Sequence, residues 1–322
     1  MKTLKPISVS VLHRTVEHGR RFHFTVTGVL FIDLAEAGRV LTEIDLWKTV
    51  PPPLGENVVL DDAMPKSRGE VLVTGSAHAP GGVPTAACDV KVRIAAVDKT
   101  LRVIGDRTWD ARGGMSTPEP FTVMPLRYTH AFGGEGFPLN PTGKGYGTKD
   151  GAPRPLPNIE DVRWPLRSPD QTVAPAGFGA YDFTWPQRAS KLGTYDDRWV
   201  REDMPGFARD IDWTAFNVAP EDQWIDGYFR GDEAFALENL HPDRPHLEGR
   251  LPGLVVRAFI NRQTPEGERF EEVPTRLDTV HLFPGAMRAA LFYRGVVEVA
   301  EDDAGDGVPL LVGCERAGEP RD

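Results

Sequence analysis

Long hydrophobic runs and cysteine are both scarce in this chain. The most apolar stretch, Val29-Leu30-Phe31-Ile32, is far too short to cross a bilayer as a helix. The charged start, Met1-Lys2-Thr3-Leu4-Lys5-Pro6, has no apolar core behind it, because His13 and Arg14 interrupt the stretch from Ser8 to Val16. No secretory signal is expected, and a cytoplasmic setting is. The only two cysteines, Cys88 and Cys314, have no Cys or His nearby at metal-ligand spacing. Two buried thiols are the simpler expectation; a bridge requires the fold to bring them together. Positive charge is also short. Lys and Arg number 37 against 47 Asp and Glu, a formal charge of −10. Such a chain repels a phosphate backbone and an anionic membrane, so no nucleic-acid or membrane partner is expected.

The familiar catalytic templates are missing too. Gly143-Lys144-Gly145 resembles part of a phosphate loop, but Pro138 stands where the first glycine belongs and Gly145 where Ser or Thr belongs. Gly134-x-Gly136 fails as a dinucleotide fingerprint because Leu139 occupies the third glycine position. There is no Gly-x-Ser-x-Gly elbow. Cys88 as a nucleophile would need a histidine base, and a buried thiol is the commoner role. His13, His18 and His23 are five apart, so neighbours along a strand face opposite sides. His241, Asp243 and His246 share a proline-bounded loop, a weak pointer to a metal. Asp302 to Gly307 fails as a calcium loop because Ala304 and Gly313 sit at ligand positions. No cofactor and no metal are expected.

What the chain does contain is breakers: 29 prolines and 33 glycines among 322 residues. Proline breaks helix interiors and glycine supplies turns, so short strands joined by structured loops are expected. An apolar fraction of 40% with 26% charged residues is that of a folded globule. The expected class is mainly β: sandwich-like or barrel-like lobes with antiparallel meanders and a long irregular insert.

Three regions differ in texture. Residues 1–125 read as an N-terminal β lobe. Phe22, Phe24 and Val26 alternate with His23, Thr25 and Thr27, the period of a half-buried strand. Val90, Val92 and Ile94, a turn at Asp98-Lys99, and Leu101, Val103 and Ile104 read as a hairpin. Pro51-Pro52-Pro53 reads as a rigid connection, and Leu34 to Val50 fits either a helix or a strand.

Residues 126–250 hold five of the seven tryptophans, namely Trp164, Trp185, Trp199, Trp213 and Trp224, with no sustained period. Aromatic richness argues against disorder, so an ordered irregular insert packed on the β core is expected, with strands of its own not excluded. Asp232 to Leu240 reads as a short helical turn.

Residues 251–322 become regular again. Leu254–Ile260, Phe270–Asp278, Thr279–Phe283 and Met287–Val299 read as an antiparallel meander, continuous with the first lobe or separate from it. A turn at Gly305 to Gly307, a closing strand at Pro309–Val312 and a frayed tail from Glu315 are expected after it.

Paired carboxylates remain as possible chemistry. Asp196-Asp197, Glu202-Asp203 and Asp210/Asp212 are interleaved with Trp199 and Trp213. Two carboxyls with aromatic platforms can run glycoside hydrolysis, so a carbohydrate-acting enzyme using Tyr195 to Asp212 is one reading. A solvated acidic loop docked by its tryptophans is the other.

The order of the loop motifs says more. Pro125-Leu126-Arg127-Tyr128-Thr129-His130-Ala131-Phe132-Gly133-Gly134 comes first. Asn140-Pro141-x-Gly143-Lys144-Gly145-Tyr146 and Leu156-Pro157-Asn158-Ile159-Glu160 follow. Trp185-x-x-Arg188 leads to Gly193-Thr194-Tyr195-Asp196-x-x-Trp199, then to Phe216-Asn217-x-Ala219-Pro220-x-Asp222-Gln223. Gly231-Asp232-Glu233, Glu238-Asn239-Leu240-His241-Pro242, Leu277-Asp278-Thr279 and Tyr293-Arg294-Gly295 close the series. In this order, over nearly the whole chain, the sequence resembles the bacterial family catalogued as domain of unknown function 2169.

The resemblance implies an adaptor or chaperone of type VI secretion. Its partners would be an effector or toxin protein and the spike protein, and it would do no catalysis. A structural subunit of the secretion apparatus is a further reading. On this view the partner-binding candidates are Phe132, Asn140, Lys144, Tyr146, Tyr195, Asp196, Trp199, Phe216 and Asn217. The bland alternative is that the glycines permit positive φ and that Asn140, Asp196 and Asn217 satisfy loop backbone.

Overall fold

The computed structural model describes residues 10–18, 21–36, 39–41, 64–110, 112–147, 154–299 and 310–316. The Pro51-Pro52-Pro53 connection, most of the helix-or-strand choice after Leu41, the Asp302 to Gly307 turn and the tail beyond Arg316 lie outside these residues. So does the charged start of the chain. The architecture is mainly β, with 43% strand against 11% helix, and no sheet among the described residues closes into a barrel.

Two sheets form a sandwich. The larger orders Ser10–His18, Arg21–Asp33, Arg288–Val299, Thr275–Phe283, Gly69–Val73 and Trp224–Ile225, with Arg39–Val40 beside Arg21–Asp33. Its pairings are antiparallel except between Gly69–Val73 and Thr275–Phe283. The smaller orders Ile159–Asp161, Val97–Ile104, Ala87–Ile94, Ala234–Glu238 and His246–Arg250. Alternate residues of both turn inward to one core. Leu30, Ile32, Val71, Val73 and Leu291 come from the first sheet, and Val90, Val92, Leu101, Val103 and Leu237 from the second. Burying side chains of this size stabilises by about 1.5–3 kcal/mol each.

N-terminal and C-terminal strands are neighbours in the larger sheet, where Arg21–Asp33 pairs with Arg288–Val299 along its length. That central position changes the expected half-burial. Thr25 and Thr27 are as fully buried as Val26, because the second face of the strand is covered as well. There Val29 and Phe31 pack with Phe283, Ala290 and Phe292.

The hairpin Ala87–Ile94/Val97–Ile104 forms, but its turn is at Ala95-Ala96, with Ile94 opposite Val97. Asp98 and Lys99 belong to the strand, not to the turn. In the alternation Val97, Lys99, Leu101, the lysine occupies an inward-facing position, where Asp222 neutralises it.

Asp232 to Leu240 is a correction of another kind. Ala234–Glu238 is a strand paired on both sides, so its helix-favouring Ala, Leu and Glu are overridden by tertiary pairing. The C-terminal meander splits at Pro274, which cannot donate to a ladder. Leu254–Thr264, Gly267–Val273 and Leu310–Arg316 form a separate three-stranded sheet. Thr275–Phe283 and Arg288–Val299 cross into the larger one. Glu315 and Arg316, expected in a frayed tail, are the end of a paired strand.

Candidate functional site

The insert does not wrap the sandwich evenly. Its segments 161–164, 171–176, 181–191 and 217–224 surround an open cleft of about 770 Å³ above the end of the Val97–Ile104 strand. One wall begins where Ile159–Asp161 ends in a tight turn. Asp161 Oδ1 accepts the backbone N–H of Arg163 at 2.8 Å, and Asp161 O accepts that of Trp164 at 3.0 Å. Pro165 follows. The pinned turn thrusts Val162, Arg163 and Trp164 outward, and Trp164 is 69% exposed.

The floor is an ion-pair relay. Arg163 Nη2 donates to Asp161 Oδ2 at 2.5 Å and to Asp222 Oδ2 at 2.7 Å. On the other oxygen, Asp222 Oδ1 receives Lys99 Nζ at 2.7 Å. Lys99 also donates to Gly177 O at 2.7 Å and Gln223 Oε1 at 2.8 Å, so its three protons are used. Gln223 in turn donates to Val71 O at 2.6 Å and Phe178 O at 3.0 Å, tying the floor to the larger sheet. Burial pulls the Lys99 ammonium below its usual value, against the pull of Asp222. Burial would lift Asp161, but hydrogen bonds from the Arg163 side chain and backbone outweigh it and hold the carboxyl below its usual range.

The opposite wall follows the one-turn helix Pro186–Ala189. Arg188 is buried and donates to Ala215 O at 2.9 Å and Tyr181 O at 3.2 Å. Lys191 Nζ lies 4.6 Å from the Trp224 ring centroid and 2.8 Å from Glu221 Oε1. Trp224 is itself fixed by its indole N–H to Ala219 O at 2.8 Å. Burial pushes the Tyr181 phenol up to about 12. Each carboxylate of the cleft is thus committed to a cation, and aromatic surface is left uncovered between them.

The candidates from the loop motifs fall in three places. Asn140 is fully buried and donates to Tyr128 O at 2.8 Å and Phe132 O at 3.1 Å. It fills a slot only glycines leave. A Cβ on Gly133 would meet Asn140 O at 2.1 Å, and one on Gly143 would meet Asn140 Nδ2 at 2.4 Å. Close approach, more than positive φ, requires these two glycines. Phe132 is buried edge-on to Phe137, and the half-exposed Tyr146 leans on Phe137 at 5.0 Å. Lys144 pairs with Asp106 at 3.0 Å. Hydrogen bonds from Asn158 and Lys144 hold that carboxyl below its usual range.

Phe216 is buried with Met64 and Ile211. Asn217 is also buried, donating to Arg68 O at 2.9 Å and Glu70 Oε2 at 3.3 Å; of the motif candidates, it alone lines the cleft. Glu70 forms a buried ion pair with Lys66 and accepts Ala219 N–H at 3.1 Å. On the neighbouring strands Asp278 forms a second buried ion pair with Arg294.

Tyr195, Asp196 and Trp199 lie together, away from the cleft, and Asp196 and Trp199 line a shallow hollow of about 260 Å³. Asp196 caps the short helix Asp197–Glu202, accepting N–H from Arg198 at 3.0 Å and Trp199 at 2.9 Å. Tyr195 packs edge-on to Trp199 at 4.8 Å, and the Trp199 indole donates to Gly206 O at 2.9 Å. Apart from Asp197, the carboxylates weighed for glycosidase chemistry are in local contacts. Asp203 pairs with Arg209, Asp212 caps Thr214, and Asp210 accepts both N–H and O–H of Thr194. Those two bonds hold Asp210 below its usual range, the opposite of what a general acid needs.

No group of three or more metal-ligating side chains is gathered among the described residues. Cys88 and Cys314 are buried free thiols, and burial pushes Cys88 up to about 11, away from a nucleophile's range. Arg163, Trp164 and Lys191 were outside every motif weighed from the sequence, whereas Asp222 belongs to the Phe216-Asn217-x-Ala219-Pro220-x-Asp222-Gln223 motif. The available signal was Arg163-Trp164-Pro165, an arginine and a large aromatic set before a turn-forming proline.

Residues 18–294 match the model of a family described as an uncharacterized protein conserved in bacteria, DUF2169. Neither a curated protein nor a solved structure matches the chain. The chain belongs to the DUF2169 family.

Proposed function

We propose that this protein is a cytoplasmic adaptor or chaperone that binds a type VI secretion effector and helps load it on the spike, without turning over a substrate. The observation that carries the reading is Trp164, 69% exposed on a pinned turn at the mouth of a cleft whose carboxylates are all paired. A preorganised aromatic beside an arginine is the usual composition of an energetic anchor between proteins. A site whose acids and bases already neutralise one another is suited to gripping more than to proton transfer. The adaptor would cover an apolar patch of its client, and competing contacts at the spike would release it.

The test is co-expression with each candidate toxin encoded in the same genome, followed by purification on a tag carried by the adaptor. Retention of one toxin, with loss on Trp164→Ala, is the expected result. If none is retained or stabilised, the proposal is removed.

A further inference from the structure

We infer that the cleft takes an acidic segment of extended polypeptide, seated along residues 172–174 and between Trp164 and Lys191. The inference rests on the reading of the cleft as a polypeptide-binding site and names the chemistry of what enters it.

The backbone supports a polypeptide. Residues 172–174, which line the cleft, are in neither helix nor strand. Among the described residues, the N–H and C=O groups of Thr172, Val173 and Ala174 have no hydrogen-bond partner. Backbone groups are obligatory donors and acceptors, so an open row of them beside a groove is a template for main-chain pairing.

Charge supports an acidic one. In a chain of formal charge −10, the cleft carries four cations, Lys99, Arg163, Arg188 and Lys191, against three carboxylates, Asp161, Glu221 and Asp222. The counter-ions are unequal. Asp222 is held by both Lys99 and Arg163, and Asp161 by its own turn. Glu221 is 72% exposed and touches only Lys191 among the described residues. An exposed pair of this kind is worth at most about 1 kcal/mol, so an incoming carboxylate displaces Glu221 cheaply. The ammonium meanwhile keeps its place over Trp224. Arg163 is half-exposed at the other side, and its Nη1 has no partner among the described residues. A second carboxylate has its donor there. Trp164, Trp224 and Tyr181 supply apolar surface between the two cations.

A displayed library of random dodecapeptides, panned on the full chain, tests this. Enriched sequences should combine Asp or Glu with Leu or aromatic residues. By calorimetry, the best peptide should bind about tenfold more weakly to Trp164→Ala and to Lys191→Met. It should bind several-fold more tightly to Glu221→Gln, where the competing counter-ion is gone, and equally well to Glu248→Ala on the far sheet edge. Glu221 is exposed, so that variant keeps the fold, and a role in folding alone does not produce tighter binding. Enrichment of Lys- or Arg-rich peptides, no enrichment, or weaker binding to Glu221→Gln overturns the inference. Retention of the toxin without competition by the acidic peptide overturns it as well and leaves the adaptor reading standing. An acidic peptide bound in the cleft, with no toxin retained, supports it and removes only the adaptor reading.

Discussion

The loop from Thr194 to Asp212 and the polar face around Glu70 and Asp278 are built from the same kinds of residue. Both pair carboxylates with cations, and both include an aromatic neighbour. In the loop, Arg198 and Arg209 reach Glu202 with all three side chains in contact with water. In the sheet, Lys66–Glu70 and Arg294–Asp278 are shut away from it. Water screens the first set, so each pair there contributes little and can be exchanged. The second set has lost its hydration, and each ion depends on the one beside it. Charge alone therefore does not distinguish a surface from a structural element; burial does. The cleft lies between these extremes, with a locked floor at Asp222 and an exchangeable rim at Glu221.

The contrast is broken most sharply at Arg294. Arg294→Met leaves Asp278 buried without its cation and should lower unfolding free energy by about 3–5 kcal/mol in urea titrations. A loss under about 1 kcal/mol would mean that this face behaves as a surface.

Acid sharpens the comparison next. Burial drives His281 down to about 3, with Lys66 adding to the effect, so the fold holds it neutral. That contribution is present above the unfolded value of 6.5 and is lost as pH falls toward 3. Asp278 runs the other way. Burial outweighs Arg294 and raises it to about 6, so its contribution grows as pH falls from 6 to 3.8. In the native protein the two oppose each other in that window. With His281→Phe, acidification from pH 6 to 4 should cost less stability than in the native protein, the difference reaching up to about 1.4 kcal/mol per pH unit. Denaturation midpoints at four pH values read it, and an unchanged profile would count against a buried His281.

Smaller effects follow. Asn140→Ala strips the carbonyls of Tyr128 and Phe132 of a donor and should cost about 1–3 kcal/mol in thermal or urea unfolding. Asp196→Ala removes a helix cap and should cost about 1 kcal/mol. Glu202→Gln, at the exposed end of the contrast, should stay within about 0.5 kcal/mol by the same measurement.

Much of the fold was legible in period two. Val90, Val92 and Ile94 alternate because one sheet face is wet and the other dry. Lys99 misled the turn assignment because a lysine at an inward position looks like a loop residue until its partner, 123 residues away in sequence, is known. Asp232 to Leu240 misled because local helix preference is weak against two flanking strands. Family motifs marked Asn140, Gly133 and Gly143, which interlock, and Asp196, which caps. The motifs also marked Arg188, Asn217 and Asp222, which line the cleft, but no spacing showed that they meet there. Its walls come from four separate segments whose meeting depends on the insert's packing.

Sequence by itself determined the class of this protein: breakers, alternation and a shortage of apolar runs permit short paired strands and little else. Tertiary structure decided which strands share a sheet, that Thr25 and Thr27 are buried, and that Trp164, Lys191 and Glu221 face one opening. The physical reason is range. Alternation and turn chemistry act between near neighbours in the chain, whereas burial and ion pairing depend on which distant segments arrive beside one another.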